Sequence, residues 1–207
     1  RPTKVIACVG QAPPQVWQST SGGGAQTSAH LIPTIQRLMA QAGLQFAQLD
    51  AIVFGSGPGS FPGLRTACSV AQGLAFGANV KVLPIDTLLT VAEEARWQHA
   101  GARASYQVTA LLDARMDEMY VGNYSYESGQ WRQLGGYRLM RPEDLVCEPG
   151  WALAGNVFAA YGARLPGAPV GSSGAAMSPR VHVLPSASAM LRLAPTLLAA
   201  GAAVRAD

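Results

Sequence analysis

A glycine-rich stretch is the part of this sequence whose residue types could perform chemistry. It runs from Gly55 to Arg65 and reads Gly-Ser-Gly-Pro-Gly-Ser-Phe-Pro-Gly-Leu-Arg. Glycine adopts positive φ readily, so successive N–H groups of such a stretch can converge on an anion or on a closely packed backbone. The stretch therefore predicts either a phosphate-type binding loop or a tight crossover in an α/β sheet.

Two well-known nucleotide-binding motifs do not fit this stretch. A Walker loop ends in Gly-Lys-Ser/Thr, whereas the only nearby cation is Arg65. A dinucleotide fingerprint needs Gly-x-Gly-x-x-Gly at the opening of a helix, and Gly57-Pro58-Gly59 does not continue in that way. The residues thus argue against a P-loop kinase and against a Rossmann dehydrogenase.

The elements on either side of the stretch can be predicted from hydrophobic pattern. The apolar run from Leu49 to Phe54 has the length and composition of a buried strand, and the Ala-rich segment after the glycines has helical length. Ser60 is a suitable helix cap, and Pro62 suits the first turn because its missing N–H would be unpaired there. We expect this helix to end at Gly77.

The order of residues from Gly57 to Arg65 resembles the Gly-Pro-Gly-Ser-Phe-Thr-Gly-Leu-Arg signature of the bacterial TsaB (YeaZ) family. One position departs, because Pro62 stands where the family usually has Thr, and any hydrogen bond of that hydroxyl is lost. The resemblance extends from the segment near His30 through the second half of the chain. The matched signature-loop residues are Gly57, Pro58, Gly59, Ser60, Phe61, Gly63 and Arg65.

The resemblance implies a fold, and the charged, glycine-containing connector from Gln98 to Gln107 gives the domain boundary. The implied fold is α/β, a two-lobed actin-like (ASKHA, ribonuclease H-like) fold with mixed sheets flanked by helices and a reduced second lobe. Residues 1–100 would form the N-terminal lobe, which carries the glycine loop and the partner-binding helices. Residues 101–207 would form the smaller C-terminal lobe.

The resemblance also implies a role without catalysis. TsaB binds TsaD, which carries the metal and transfers a threonylcarbamoyl group to adenosine 37 of tRNAs that read ANN codons, and the ATPase TsaE completes the assembly. We therefore expect this chain to interact with tRNA only indirectly, through the complex. We expect the isolated chain to form a homodimer. We expect no cofactor on this chain alone, and ATP or ADP at the interface with TsaD is left open.

The residues that catalysis would need are missing from the sequence. In TsaD two histidines four residues apart bind the metal, whereas here Gln26 and Thr34 occupy those positions around His30. We interpret His30 as a capping or surface histidine, and we predict no catalytic residue and no metal ligand. The alternative is a glycopeptidase-like or actin-like ATPase enzyme that holds nucleotide or metal between its lobes.

Two helical segments, Leu31 to Ala42 and Arg65 to Phe76, are our candidates for a patch that pairs with TsaD or with a second copy. The small residues of the second segment would permit another helix to approach closely. The alternative is that both helices only cover a sheet of the same chain. The partner-binding candidates are Leu31, Ile35, Leu38, Arg65, Ser69 and Gln72.

Other local patterns give weaker expectations. The first strand of the chain should end at Gly10, and Ser19 to Gln26 is predicted to be a loop because it is rich in Ser, Thr and Gly. The Asp-Thr-Ser turn that follows the first strand in the family is absent here. Asp86 or Thr87 should cap a helix. The acidic cluster from Asp113 to Glu118 is either a hairpin tip neutralised by Arg115 or a set of coupled carboxylates.

Composition narrows the class of protein. Hydrophobic residues make up 49% and charged residues 13% of the 207 positions, against roughly 25% charged in an average protein. The net charge of +3 comes without a Lys/Arg block, so direct nucleic-acid binding is not indicated. Three scattered cysteines predict reduced, mostly buried thiols, and no run reaches the roughly 20 apolar residues of a membrane span. We expect a cytoplasmic protein.

Overall fold

The computed structural model describes residues 3–9, 15–21, 27–101, 103–166 and 178–206. Contacts between backbone positions divide the chain into two compact units. Unit 1 comprises Arg1–Ser56, Phe61–Ile85 and Ser186–Asp207, and unit 2 comprises Gly57–Ser60 and Asp86–Pro185. The division into lobes at residue 100, placed at the charged, glycine-containing connector from Gln98 to Gln107, stays a prediction.

The described elements alternate between strand and helix over much of the chain. In order they are β1 (Thr3–Val9), β2 (Gln15–Ser21), α1 (Thr27–Ala42), β3 (Ala51–Gly57), α2 (Phe61–Ala78), β4 (Lys81–Asp86), α3 (Thr87–Ala95), β5 (Ser105–Arg115), β6 (Glu118–Glu127), β7 (Gln130–Gln133), β8 (Arg138–Met140), β9 (Ala152–Gly155), α4 (Phe158–Tyr161), β10 (Arg180–His182) and α5 (Ala187–Ala199). None of these described helices has both the length and the apolar character needed to cross a membrane.

Unit 1 opens with an antiparallel hairpin. Strands β1 and β2 pair over seven positions, from Thr3 opposite Ser21 to Val9 opposite Gln15, and α1 packs against both strands. The predicted loop is therefore wrong for residues 19–21, and residues 22–26 lie outside the described part of the chain. The polar composition of β2 favoured a loop, but its backbone hydrogen bonds to β1 make it a strand. The second strand therefore forms although the sequence lacks the Asp-Thr-Ser turn.

The second part of unit 1 pairs β3 with β4 and covers them with α2. Ala71 and Ala75 of α2 are buried against Val82. Strand β3 continues through Gly55 and Ser56, so the loop proper is shorter than the sequence suggests. Helix α2 ends at Ala78, one residue beyond Gly77, because Asn79 takes the left-handed conformation with φ +54°.

Unit 2 is built on a mixed six-stranded sheet. The strand order is β10-β9-β5-β6-β7, and β8 also pairs with β6. Strands β10, β9 and β5 run parallel, whereas β5, β6, β7 and β8 pair antiparallel. The predicted hairpin is confirmed, because β5 and β6 are joined by a tight turn at Met116 and Asp117.

The alternating side chains of β5 serve two separate cores. Val108 and Ala110 point to the face covered by Leu88 and Val91 of α3, and Leu111 points to the opposite face. The second core contains Met119, Val121, Leu153 and Val157, all almost fully buried. The sheet of unit 2 is thus packed on both faces, as the mixed topology requires.

A buried ion pair joins α3 to this sheet. Both carboxylate oxygens of Glu93 accept hydrogen bonds from the Arg96 guanidinium, at 2.9 and 3.0 Å. Trp131 of β7 donates its indole N–H to the same carboxylate at 3.0 Å, and the guanidinium lies 4.3 Å above the Tyr126 ring. The hydrogen bond to Glu93 raises the pKa of Arg96. The buried charges of Glu93 and Arg96 are thus compensated by each other and by the contacts with Trp131 and Tyr126.

Candidate functional site

The glycine loop is anchored by a hydroxyl that sequence reasoning did not identify. Gly57 has φ +110° and donates its N–H to the Thr87 side-chain oxygen at 3.1 Å. Thr87 is 9% exposed, Pro58 is buried, and Ser60 is exposed. The Gly57 amide is therefore engaged within the protein, which removes one of the donors that an anion cradle would need.

Asp86 supports the same end of the loop. One carboxylate oxygen accepts the Leu88 N–H at 2.8 Å and caps α3, which confirms Asp86 as the capping residue. The other oxygen accepts the Tyr124 hydroxyl at 2.5 Å. Tyr124 is 1% exposed, and burial, together with the adjacent carboxylate, raises its pKa. The hydroxyl stays protonated and holds the first turn of α3 against β6.

An exposed stripe runs along α2. It consists of Phe61, Arg65, Ser69, Gln72 and Phe76, which follow each other at intervals of three or four residues and so share one helix face. We call this set the α2 stripe. Phe61 is 68% and Phe76 is 72% exposed, although both are large apolar side chains.

Local contacts hold parts of the α2 stripe in place. The Arg65 guanidinium lies 4.9 Å from the Phe61 ring, within the range of a cation–π contact. Gln72 donates to the backbone oxygen of Ala206 at 3.0 Å. Gly63, another signature residue, is exposed in the first turn of the same helix. The structure thus brings three of the partner-binding candidates, Arg65, Ser69 and Gln72, onto one face.

The candidates on α1 are less accessible than those on α2. Leu31 and Ile35 are partly buried, and Leu38 is only 3% exposed. Leu38 consequently belongs to the interior of unit 1 and offers no surface to a partner. Ile32, at 42% exposed, is a large apolar side chain that α1 presents to solvent.

The histidines and cysteines are dispersed. His30 is exposed on α1, and within the described residues no group of three or more His, Cys, Asp or Glu side chains is placed to hold a metal ion. Cys147 is buried and burial raises its pKa, whereas Cys68 is exposed. The expectation of a buried thiol is therefore wrong for Cys68, which lies on the solvent side of α2.

One carboxylate of the acidic cluster at the β5–β6 turn, Asp117, pairs with a distant arginine. Arg164 donates to Asp117 at 2.8 Å and also pairs with Glu143, whereas Arg115 forms neither pair. The hydrogen bond from Arg164 is the main cause of the lowered pKa of both carboxylates. Asp113 is separately bonded by the Tyr161 hydroxyl at 3.0 Å. The role predicted for Arg115 is thus wrong, because residues 47 apart in sequence cannot be paired from spacing.

Comparison with known proteins places the chain in a family. The family model of TsaD, tRNA N6-adenosine threonylcarbamoyltransferase, matches residues 24–192. The tRNA threonylcarbamoyladenosine biosynthesis protein TsaB of Haemophilus influenzae is 37% identical over 124 residues, which is 56% of this chain and 51% of that protein. The TsaB of Escherichia coli is 36% identical over 114 residues, which is 55% of this chain and 48% of that protein. The chain matches about half the length of these curated relatives.

Solved structures agree with the sequence matches. YeaZ from Pseudomonas aeruginosa superposes with a TM-score of 0.79 at 32% identity, covering 93% of this chain and 86% of that one. This similarity confirms the predicted α/β actin-like fold class. The chain belongs to the family that the TsaD model describes and, within it, to the TsaB (YeaZ) type.

Proposed function

We propose that this chain acts in the biosynthesis of threonylcarbamoyladenosine in tRNA as a non-catalytic partner of a TsaD-type transferase. The relatives named above carry this pathway in their names, and the sequence lacks the pair of histidines that TsaD uses. The observation that carries the binding role is the α2 stripe, which leaves two phenylalanines on one helix exposed. Large exposed apolar side chains with polar neighbours are typical of interfaces.

The α2 stripe has the composition of a docking surface. Aromatic and arginine side chains dominate binding energy in protein interfaces, and the stripe contains Phe61, Phe76 and Arg65 with no acidic or lysine residue. Its small residues, Ser69 and the neighbouring Gly73, let another helix approach closely. We propose that the TsaD-type enzyme occupies this face in the complex and that a second copy of the chain occupies it in the isolated homodimer.

The remaining roles follow from the same proposal. The chain holds no cofactor alone, and a nucleotide, ATP or ADP, would bind only where this chain meets TsaD. TsaE joins the assembled complex in the cytoplasm. The tRNA binds to the complex and is linked to this chain only indirectly. Leu31 and Ile35 of α1 would contribute at the margin of the interface, whereas Leu38 supports α1 from inside.

A reconstitution tests the proposal. The chain is mixed with its own TsaD and TsaE, a source of threonylcarbamoyl adenylate and tRNA, and the modified adenosine is measured with and without the chain. We expect modification to require the chain, and we expect none from the chain alone. If the chain neither binds TsaD nor changes the yield of modified adenosine, the proposal fails.

Substitutions on the α2 stripe test the docking face separately. Phe76→Ala should weaken binding to TsaD by about tenfold or more, since loss of an interface aromatic commonly costs at least about 1–2 kcal/mol. Met116→Ala is the matched control, because Met116 is 92% exposed and lies in the other unit. Equal affinities of the two variants, measured by calorimetry, would remove the stripe from the interface and leave the pathway assignment standing.

One observation favours a second candidate, an enzyme that binds nucleotide or metal. The matching family model is named for a transferase rather than for an accessory protein. This alternative, a glycopeptidase-like or actin-like ATPase enzyme, predicts that the isolated chain binds ATP or zinc tightly. Titration of the isolated chain with ATP and with zinc separates the two candidates.

A further inference from the structure

The two compact units differ in charge. Unit 1 contains seven lysines and arginines against two carboxylates, whereas unit 2 contains eight arginines against ten carboxylates. The net charges are therefore +5 and −2, which add to the +3 of the whole chain. The whole α2 stripe belongs to unit 1. A partner that docks on this stripe consequently meets the positively charged unit.

The helices of unit 1 hold no carboxylate that could balance this charge. Helices α1, α2 and α5 contain no Asp or Glu, and each contains one arginine, Arg37, Arg65 and Arg192 respectively. Neighbouring charges of opposite sign stabilise a helix, so these helices lack that stabilisation. Arg65 lies over the ring of Phe61, and none of the described carboxylates forms an ion pair with it. The α2 stripe therefore presents an uncompensated cation between its two phenylalanines.

A second pair of cations lies on the other face of the β3–β4 pair. The bridge between Val82 and Val204 is antiparallel, so the pairing places Lys81 opposite Arg205, and both residues are exposed. Like charges at opposite positions of paired strands repel each other. Val82 packs against α2, and alternation along the strand directs Lys81 to the face away from that helix. These two cations thus strengthen the electrostatic field of unit 1 without belonging to the α2 stripe.

We propose that the TsaD-type enzyme presents an acidic surface to the α2 stripe, with a carboxylate opposite Arg65 and apolar pockets for Phe61 and Phe76. The inference rests on the proposed function and names the chemistry of the partner at the same face. A carboxylate accepts two parallel hydrogen bonds from a guanidinium. Complementary charge also speeds the association of two proteins, by about ten- to a thousandfold.

A second copy of the chain is the less favoured occupant of this face. In a symmetric dimer each copy brings its own Arg65 and its own excess of positive charge to the interface. The repulsion extends over about 8 Å at physiological ionic strength. Nucleic acid also attracts cations, but the stripe has one arginine and two exposed phenylalanines, without the cluster of basic residues that a phosphate backbone requires. Charge therefore favours the complex with an acidic protein over self-association.

Salt dependence tests this inference. The association rate of the full chain with its TsaD-type enzyme is measured by stopped-flow fluorescence, and self-association by analytical ultracentrifugation, from about 50 to about 500 mM sodium chloride. We expect association with the enzyme to slow by about tenfold or more and self-association to tighten. A rate that does not fall with salt refutes the acidic surface and leaves the proposed function standing. Absence of binding at every salt concentration refutes both.

A charge variant decides whether Arg65 is responsible. Arg65→Gln keeps a hydrogen-bonding side chain and should weaken binding to the enzyme about tenfold, the usual loss for a charged hydrogen bond, while it tightens self-association. The opposite signs are decisive, because lost packing would weaken both associations. Arg138→Gln is the matched control, since Arg138 is exposed on β8 in unit 2, and it should leave both unchanged. Wild-type affinity of Arg65→Gln for the enzyme, or binding of tRNA by the isolated chain that Arg65→Gln abolishes, would overturn the proposal.

Discussion

The backbone N–H of Gly57 donates to the side-chain oxygen of Thr87, 30 residues later in the chain, at 3.1 Å. Thr87 is the first residue of α3, and Asp86 caps that helix while it accepts the Tyr124 hydroxyl. The glycine loop is therefore fastened to a helix start that is itself fastened to β6. This arrangement explains why the loop needs no ligand to satisfy its first amide.

Replacing Thr87 with valine tests the anchor. Valine keeps the shape of threonine but removes the acceptor, so the Gly57 N–H is left without its partner at a position that is only partly solvated. We expect the free energy of unfolding to fall by about 1–3 kcal/mol, measured by urea denaturation. Thr87→Ser is the control, because it keeps the hydroxyl, and it should lose less stability than Thr87→Val. The reverse order of the two variants would show that methyl packing, rather than the hydrogen bond, matters at this position.

The stability of the protein should decrease at alkaline pH because of Tyr124. Its pKa is raised in the folded chain, whereas in the unfolded chain it titrates near the usual value of about 10. Below pH 10 both states hold the proton and the stabilisation is complete. Above pH 10 the unfolded state releases the proton first, so the free energy of unfolding decreases as pH rises. Denaturation between pH 8 and about 11 should show a steeper decrease in the wild type than in Tyr124→Phe. Parallel curves would contradict this.

The buried pair of Glu93 and Arg96 predicts an asymmetric response to mutation. Arg96→Leu leaves the Glu93 carboxylate, 2% exposed as a residue, without its main cation and should cost about 3–5 kcal/mol in the free energy of unfolding. The double variant Glu93→Leu with Arg96→Leu removes both charges and should recover a large part of that loss. Both values come from guanidinium denaturation of the purified chain. A double variant that is less stable than Arg96→Leu alone would contradict the account.

Removal of Arg164 should raise the lowered pKa values of two carboxylates, Asp117 and Glu143. Arg164 lowers the pKa of Asp117 and of Glu143 through hydrogen bonds at the surface. In Arg164→Ala both pKa values should rise, as followed by NMR titration of the side-chain carboxyl carbons. Arg115→Ala is the control, because Arg115 pairs with neither group, and it should leave Glu143 unchanged. A larger effect of Arg115→Ala on Asp117 would reinstate the assignment made from the sequence.

The sequence predicted the features that depend on residues close together in the chain. It did not predict the features that depend on contacts between distant residues. The Asp86 cap and the β5–β6 hairpin follow from local residue types, and both are present. The Thr87 anchor depends on a contact between residues 30 apart, and the Arg164 pairs with Asp117 and Glu143 depend on contacts 47 and 21 residues apart, which no local pattern encodes. Periodicity placed Leu38 on an apolar helix face but could not distinguish the buried side of that face from an exposed one.

The last prediction separates stability from partner binding at Gly73. This glycine lies in the interior of α2 on its exposed side, and a Cβ added there would meet no atom within 4 Å. Because glycine weakens a helix interior relative to alanine, Gly73→Ala should raise the free energy of unfolding by about 0.5–1 kcal/mol. Gly73 follows Ser69 by one helical turn and precedes Phe76, so the added methyl group would project beside the α2 stripe.

If a TsaD-type enzyme packs closely on that stripe, the same substitution should weaken the complex although it stabilises the isolated chain. Thermal unfolding of the chain and calorimetric titration with TsaD give the two quantities. Gly136→Ala is the control, because it lies in the β7–β8 connection and an added Cβ there also meets nothing within 4 Å. A Gly73→Ala variant that is more stable and binds TsaD as tightly as the wild type would show that no partner approaches this side of α2. The small residues of the helix would then be explained by packing within the chain alone.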